Sequence, residues 1–192
     1  MVNGEKILVL DGYIRNSLAI LRSLGTKGYA CDILIRRENN RFYDYIGRAL
    51  KSKFVNKVIE VDNDSNDEQI IRQLITILEN GNYNSVIAGG TYFSNLLSDH
   101  KKKLETYAHV LIEDKEKLQQ VHDKLRCIEL AQECNIPVPD TYLITSKEEL
   151  EKVANLTDGN VVVKYADSSS SQGLVIYQKG KDHFLKEYTN NF

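Results

Sequence analysis

Val161-Val-Val-Lys164-Tyr-Ala-Asp-Ser168-Ser-Ser-Ser171-Gln-Gly173-Leu-Val-Ile176 runs from one apolar segment through a loop of small polar residues into a second apolar segment. Two β-branched runs joined by a short loop read as an antiparallel hairpin. Along an alternating strand Lys164 shares a face with Val162, and Val163 shares the other with Tyr165. An ammonium group at the end of so apolar a strand either snorkels to water or meets an anion. Beyond it Ser168, Ser169, Ser170, Ser171, Gln172 and Gly173 supply hydroxyls and accessible backbone N–H groups, which can wrap a phosphate chain. A solvated hairpin tip is the alternative, and on this stretch alone both readings stay open.

Upstream the pattern changes. Strand-like apolar runs occur at residues 6–10, 29–35, 57–61, 85–88 and 109–112. Between them lie helix-like segments. The first carries Leu18, Leu21 and Leu24, with Asn16 or Ser17 as its cap and Gly25 and Gly28 closing it. A short helix is expected near residues 43–50. Residues 68–79 put Ile70, Ile71, Leu74, Ile77 and Leu78 on one face, and Gly81 ends that helix. Another helix follows near residues 92–98. Strands alternating with helices indicate a parallel sheet wrapped by helices, the Rossmann-like form of the α/β class. Ligands of such sheets sit beyond the carboxyl ends of the strands. Asp11, Gly12, Gly89, Gly90 and Thr91 are therefore candidate substrate-binding residues, unless the glycines serve only tight turns.

The second half is of α+β type. Residues 114–134 read as helix, broken near Val121, with Asp123-Lys124 a charged pair on its solvated face. Asn135-Ile-Pro-Val-Pro139 forbids helix, because each proline holds its predecessor extended. A strand is expected at 142–144, a helix opened by the capping box Ser146-Lys-Glu-Glu149, the hairpin, and a terminal helix at 182–188. The domains are set at 1–112 and 113–192.

The 192 residues suffice for one large α/β domain or two small lobes, and no disulfide or metal staple is needed at this size. Lys and Arg number 25 and Asp and Glu 27, a net charge of −2, which argues against a nucleic-acid binder. No apolar run is long enough to span a bilayer, and neither a signal peptide nor a myristoylation motif is visible, so cytoplasmic location is the expectation. Cys31, Cys127 and Cys134 form no C-x-x-C pair and are read as small buried hydrophobes. The four histidines have no metal-ligand spacing. Lys101-Lys-Lys103 is read as the solvated end of a helix. Asp11-Gly-Tyr-Ile-Arg-Asn16 is not a G-x-G-x-x-G turn, and Ile35 gives way to Arg36-Arg37 rather than to an acidic residue, which counts against a dinucleotide oxidoreductase.

Taken in order, Asp123-Lys124, Ile136-Pro-Val-Pro139-Asp-Thr141, Val161-Val-Val-Lys164 and the small-residue loop ending at Gly173 resemble the ATP-grasp superfamily. Leu10-Asp11-Gly12, Ser17-Leu18-Ala19, Arg22-Ser-Leu-Gly25 and Lys51-Ser-Lys53-Phe54 resemble the domain that precedes ATP-grasp in carbamoyl-phosphate synthase large-chain-like proteins. The resemblance implies a Rossmann-like pre-ATP-grasp domain followed by the small first ATP-grasp lobe. It implies that Lys124 and Lys164 contact ATP phosphates, Lys164 also approaching the adenine, and that the loop from Ser168 to Gly173 closes over the triphosphate. Serines stand here where many relatives have glycines. The resemblance also implies Mg²⁺, with its ligands in a second lobe that would follow Phe192. The chain thus reads as the N-terminal part of a carboxylate–amine ligase: a fragment, a split subunit or a truncated product. Its implied partners are nucleotide, small carboxylate and amine substrates, and either a separate C-terminal catalytic lobe or a second copy. The alternative function is a non-catalytic nucleotide-binding or regulatory domain.

Overall fold

The apolar runs upstream assemble into one sheet. In the computed structural model, which describes residues 5–37, 49–62, 65–156, 160–164 and 175–178, strands β1 (Lys6–Leu10), β2 (Ala30–Arg37), β3 (Val55–Asp62), β4 (Ser85–Ala88) and β5 (His109–Val110) are all parallel. Their order is β3-β2-β1-β4-β5, so the winding reverses between β1 and β4. Helices α1 (Arg15–Gly25), α2 (Asp67–Gly81), α3 (Thr91–Asp99) and α4 (Lys101–Leu104) connect them. β1 is buried on both faces. Leu8 and Leu10 pack into the cluster built from α2 and α3, while Ile7 and Val9 pack with Leu21 of α1. That two-sided burial is why β1 is a continuous apolar run rather than an alternating one.

Helix ends depart from the expected ones in instructive ways. α1 begins at Arg15 after Ile14, and neither Asn16 nor Ser17 caps it. Ser17 is fully buried, and its hydroxyl turns back to the Leu10 and Asp11 carbonyls. α2 carries a reciprocal capping box: Gln69 N–H donates to the Asn66 carboxamide, and Asn66 N–H to the Gln69 side chain. Its last helical residue is Gly81, and Asn82 caps it at φ 51°. β5 stops after two residues. Lys101 is not simply solvated, since its ammonium lies 2.9 Å from Asp114 and ties α4 to the chain leaving β5.

The chain divides into two compact units, Met1–Leu118 and Gln119–Phe192. Helix α5 (Lys115–His122) crosses the division. In the second unit α6 (Lys124–Glu133) starts at Asp123, whose carboxylate accepts from the Leu125 and Arg126 N–H groups. Asp123-Lys124 is therefore a helix start and not a charged pair inside a helix. Residues 136–145 form neither helix nor strand, so the strand expected at 142–144 is absent. α7 (Lys147–Leu156) opens as expected, with Ser146 accepting from Glu149 N–H and the Glu149 carboxylate accepting from Thr145. β6 (Asn160–Val163) and β7 (Val175–Gln178) pair antiparallel, with Val162 opposite Ile176. Cys31 is buried, but Cys127 and Cys134 are exposed, against the expectation for all three. The short helix at 43–50 falls largely, and the terminal helix at 182–188 wholly, outside the described residues. Among the described residues no helix is long and apolar enough to cross a membrane.

Candidate functional site

The winding reversal between β1 and β4 brings two connections together at the carboxyl edge of the sheet. Such a reversal leaves a crevice where α/β sheets take their ligands. The β1–α1 connection supplies Asp11 and Gly12. The β4–α3 connection supplies Gly89, Gly90 and Thr91. Asp11 stands at φ 60°, the left-handed region that Asp tolerates better than most residues. That geometry turns its carboxylate toward the neighbouring connection, where it accepts from Gly90 N–H at 2.7 Å, with a further bond from Gly89 N–H. Asn16 Nδ2 donates to the Gly89 carbonyl at 3.0 Å. Gly12 N–H donates to the Leu34 carbonyl, fastening the exit of β1 to β2.

The glycines of β4–α3 are required by space. A Cβ on Gly89 would run into Ser17 Oγ and come within 3.1 Å of the Ser17 amide nitrogen. A Cβ on Gly90 would lie 3.0 Å from the Asp11 carboxyl carbon. The two connections are thus in direct contact.

Three further side chains complete the edge, and the sequence reading did not single them out. Arg36, at the end of β2, lies over the Tyr92 ring, 4.6 Å from guanidinium carbon to centroid. Tyr92 OH donates to Asp67 at 2.6 Å. Burial, and then the hydrogen bond to Asp67, push the Tyr92 hydroxyl up to about 12. Burial also pushes the Asp11 carboxyl up to about 6, against the opposing pull of the Gly90 and Gly89 N–H groups and of Arg36. The strand-end rule that selected Asp11 and Gly89 applies equally to Arg36 and was the available signal. Asp67 and Tyr92 carry no such signal, since a helix start and an aromatic in an apolar helix are ordinary.

The candidate nucleotide residues lie in the second unit. Lys124 is the first residue of α6 and half-buried. Lys164 follows β6 and is exposed, on the same side as exposed Val162, while Val161 and Val163 are half-buried. The alternation is the expected one. The loop from Ser168 to Gly173 lies outside the described residues.

No protein-family model and no curated protein matches the chain. Solved structures do match. One is the biotin carboxylase domain dimer of Hydrogenobacter thermophilus 2-oxoglutarate carboxylase, in complex with ADP, its magnesium salt and bicarbonate. The TM-score is 0.63 at 13% identity, over 97% of this chain and 40% of that one. A second is the L-amino acid ligase of Bacillus licheniformis, with a TM-score of 0.63 at 12% identity, over 100% of this chain and 43% of that one. A third is the Campylobacter jejuni biotin carboxylase in complex with β,γ-ATP, at 0.59 and 16%, over 93% and 39%. The chain therefore spans about two fifths of the length of the structures it matches. At 12–16% identity, what it shares with them is the fold.

Proposed function

We propose that the chain is the N-terminal part of an ATP-grasp carboxylate–amine ligase, related by its motifs to carbamoyl-phosphate synthase and acting in the cytoplasm. Residues 1–112 are the pre-ATP-grasp domain and 113–192 the first ATP-grasp lobe. The observation that carries this reading is the fold match, which takes up nearly the whole chain on about two fifths of carboxylases and a ligase. A second supports it. Among the described residues of the second unit, Ile136, Tyr142, Leu143, Leu156, Val162 and Ile176 are half or more exposed, while Leu150 and Ala154 are buried. So much apolar surface suits one wall of a larger cleft.

In the complete enzyme a substrate carboxylate oxygen attacks the γ-phosphorus of ATP and ADP departs, leaving an acyl-phosphate. An amine then attacks the acyl carbon and phosphate leaves. Lys124 and Lys164 offset triphosphate charge, and the amides and hydroxyls from Ser168 to Gly173 orient it. Asp11, Gly12, Gly89, Gly90 and Thr91 form a substrate-binding edge. Among the described residues no group of three or more His, Cys, Asp or Glu side chains could hold a metal ion. The Mg²⁺ ligands of such a ligase would lie in the complementary lobe.

Calorimetry with MgATP tests the reading. A cleft with one wall buries little of a ligand, and each exposed ammonium–phosphate contact is worth about 1 kcal/mol at most. The 192-residue chain is expected to bind with a Kd on the order of 1 mM or weaker. Lys164→Ala is expected to weaken this about fivefold, and neither chain should turn ATP over. Micromolar affinity with turnover by the isolated chain would overturn the assignment.

A further inference from the structure

Asp11 does more than a tight turn requires. Its carboxylate reaches from the β1–α1 connection to the β4–α3 connection and takes up the N–H groups of Gly90 and Gly89 at the start of α3. The glycine turn is packed directly on the carboxyl carbon. The chain's own anion thus sits on donors that would otherwise face the edge. We propose that Asp11 is a proton-operated latch across the winding reversal: ionised, it holds the Gly89–Gly90 turn against the end of β1, and protonated, it releases that turn.

The chemistry follows from the acceptor. A buried carboxylate needs donors at both oxygens, and its bonds to N–H groups are about twice as strong as neutral ones. A neutral carboxyl turns one oxygen into a donor and no longer needs both amides. The groups facing it are Arg36 from β2, which favours the ionised form, Tyr92 of α3 with its hydroxyl tied to Asp67 of α2, and the uncharged Asn16 and Ser17 of α1. Burial outweighs Arg36 and brings the change within reach of mild acidification, near pH 6. The latch concerns the chain's own groups and stands whether or not this edge binds substrate. Any anionic ligand directed to the same two N–H groups would have to displace Asp11.

The test is ¹⁵N–¹H spectroscopy of the 192-residue chain between pH 5 and 8. The Gly89 and Gly90 amide resonances are expected to titrate together with a midpoint near 6. Exchange protection of the Gly90 amide, corrected for its intrinsic pH dependence, should fall about tenfold on protonation, the difference between a charged and a neutral acceptor. Asp11→Asn keeps a neutral acceptor and tolerates the left-handed backbone. It is expected to be flat with pH and to show the low-pH protection throughout. The wild-type Asp11 ¹³Cγ resonance provides a readout that needs no variant, and it should share the amide midpoint. Amides that do not titrate in this range, a titration that persists in Asp11→Asn, or an Asp11 midpoint at the ordinary value near 4 would each overturn the proposal.

Discussion

Asp32→Ala is expected to cost about 3–5 kcal/mol of folding stability, the penalty for breaking a buried ion pair by removing one partner. Asp32 lies in the middle of β2 with its side chain fully buried. It accepts from Lys6 Nζ at 2.9 Å, from Tyr83 OH at 2.7 Å and from Asn56 Nδ2 at 2.7 Å. Lys6 also lies over the Tyr83 ring, 4.5 Å from its centroid. Removing the carboxylate leaves the buried Tyr83 hydroxyl without its acceptor and takes the counter-ion from Lys6. Burial pushes the Asp32 carboxyl up, but the three hydrogen bonds together outweigh it and hold the group below its ordinary value. Folding therefore favours the ionised form. The stability it contributes is present above the unfolded-state value, 3.8, and is lost as pH falls through the lower folded value. Urea unfolding at pH 7 and at pH 3 measures both: the gap between wild type and Asp32→Ala should be wide at pH 7 and narrower at pH 3. A gap below about 1 kcal/mol at pH 7 would mean that the network is no better than a surface pair.

Gly89→Ala is the second large effect, with an expected loss of about 1–3 kcal/mol from overpacking. The new methyl group would fall on Ser17 Oγ, and Ser17 cannot swing aside. It is fully buried, and its hydroxyl is engaged by the Leu10 and Asp11 carbonyls at 3.0 and 2.6 Å. The alternative is to move the β4–α3 connection, which would pull Gly90 off Asp11. Ser17→Ala in the same chain removes the clashing oxygen but leaves the 3.1 Å approach to the Ser17 nitrogen. Partial rescue is therefore expected, with a coupling of about 1 kcal/mol in the double-mutant cycle. Gly89→Ala as stable as wild type would show that the two connections are not held in contact.

The sheet was legible because its central strands are buried on both faces, so Lys6–Leu10 and Ser85–Ala88 had to be apolar runs. The strand-end rule put Asp11, Gly89 and Gly90 on one edge once the runs were read as parallel strands, but their direct contact is seen only in the structure. The Asp32 network was not legible. Lys6, Asp32, Asn56 and Tyr83 are far apart in sequence and meet only through strand register, Leu8 standing beside Asp32. A carboxylate inside the apolar run from Ala30 to Ile35 was still a signal, because such a group must find partners.

Elsewhere local patterns misled. Residues 142–144 have strand character, but β-propensity expresses itself only where a partner strand exists. Asp123-Lys124 followed by Leu125 is as good a helix start as a solvated pair, and the first reading won. Cys127 and Cys134 share a helical spacing, but that spacing says nothing about whether the face they occupy is covered.

We propose that nucleotide meets this chain at Lys124, Lys164 and the segment from Ser168 to Gly173, and not at the Rossmann-like edge. The most direct measurement is an amide chemical-shift map of the 192-residue chain during titration with MgATP into the millimolar range. Fast-exchange shifts are expected at Lys124, Lys164 and the residues from Ser168 to Gly173, with Gly89 and Gly90 unmoved. Shifts concentrated at Asp11, Gly89 and Gly90 with the hairpin silent would contradict it.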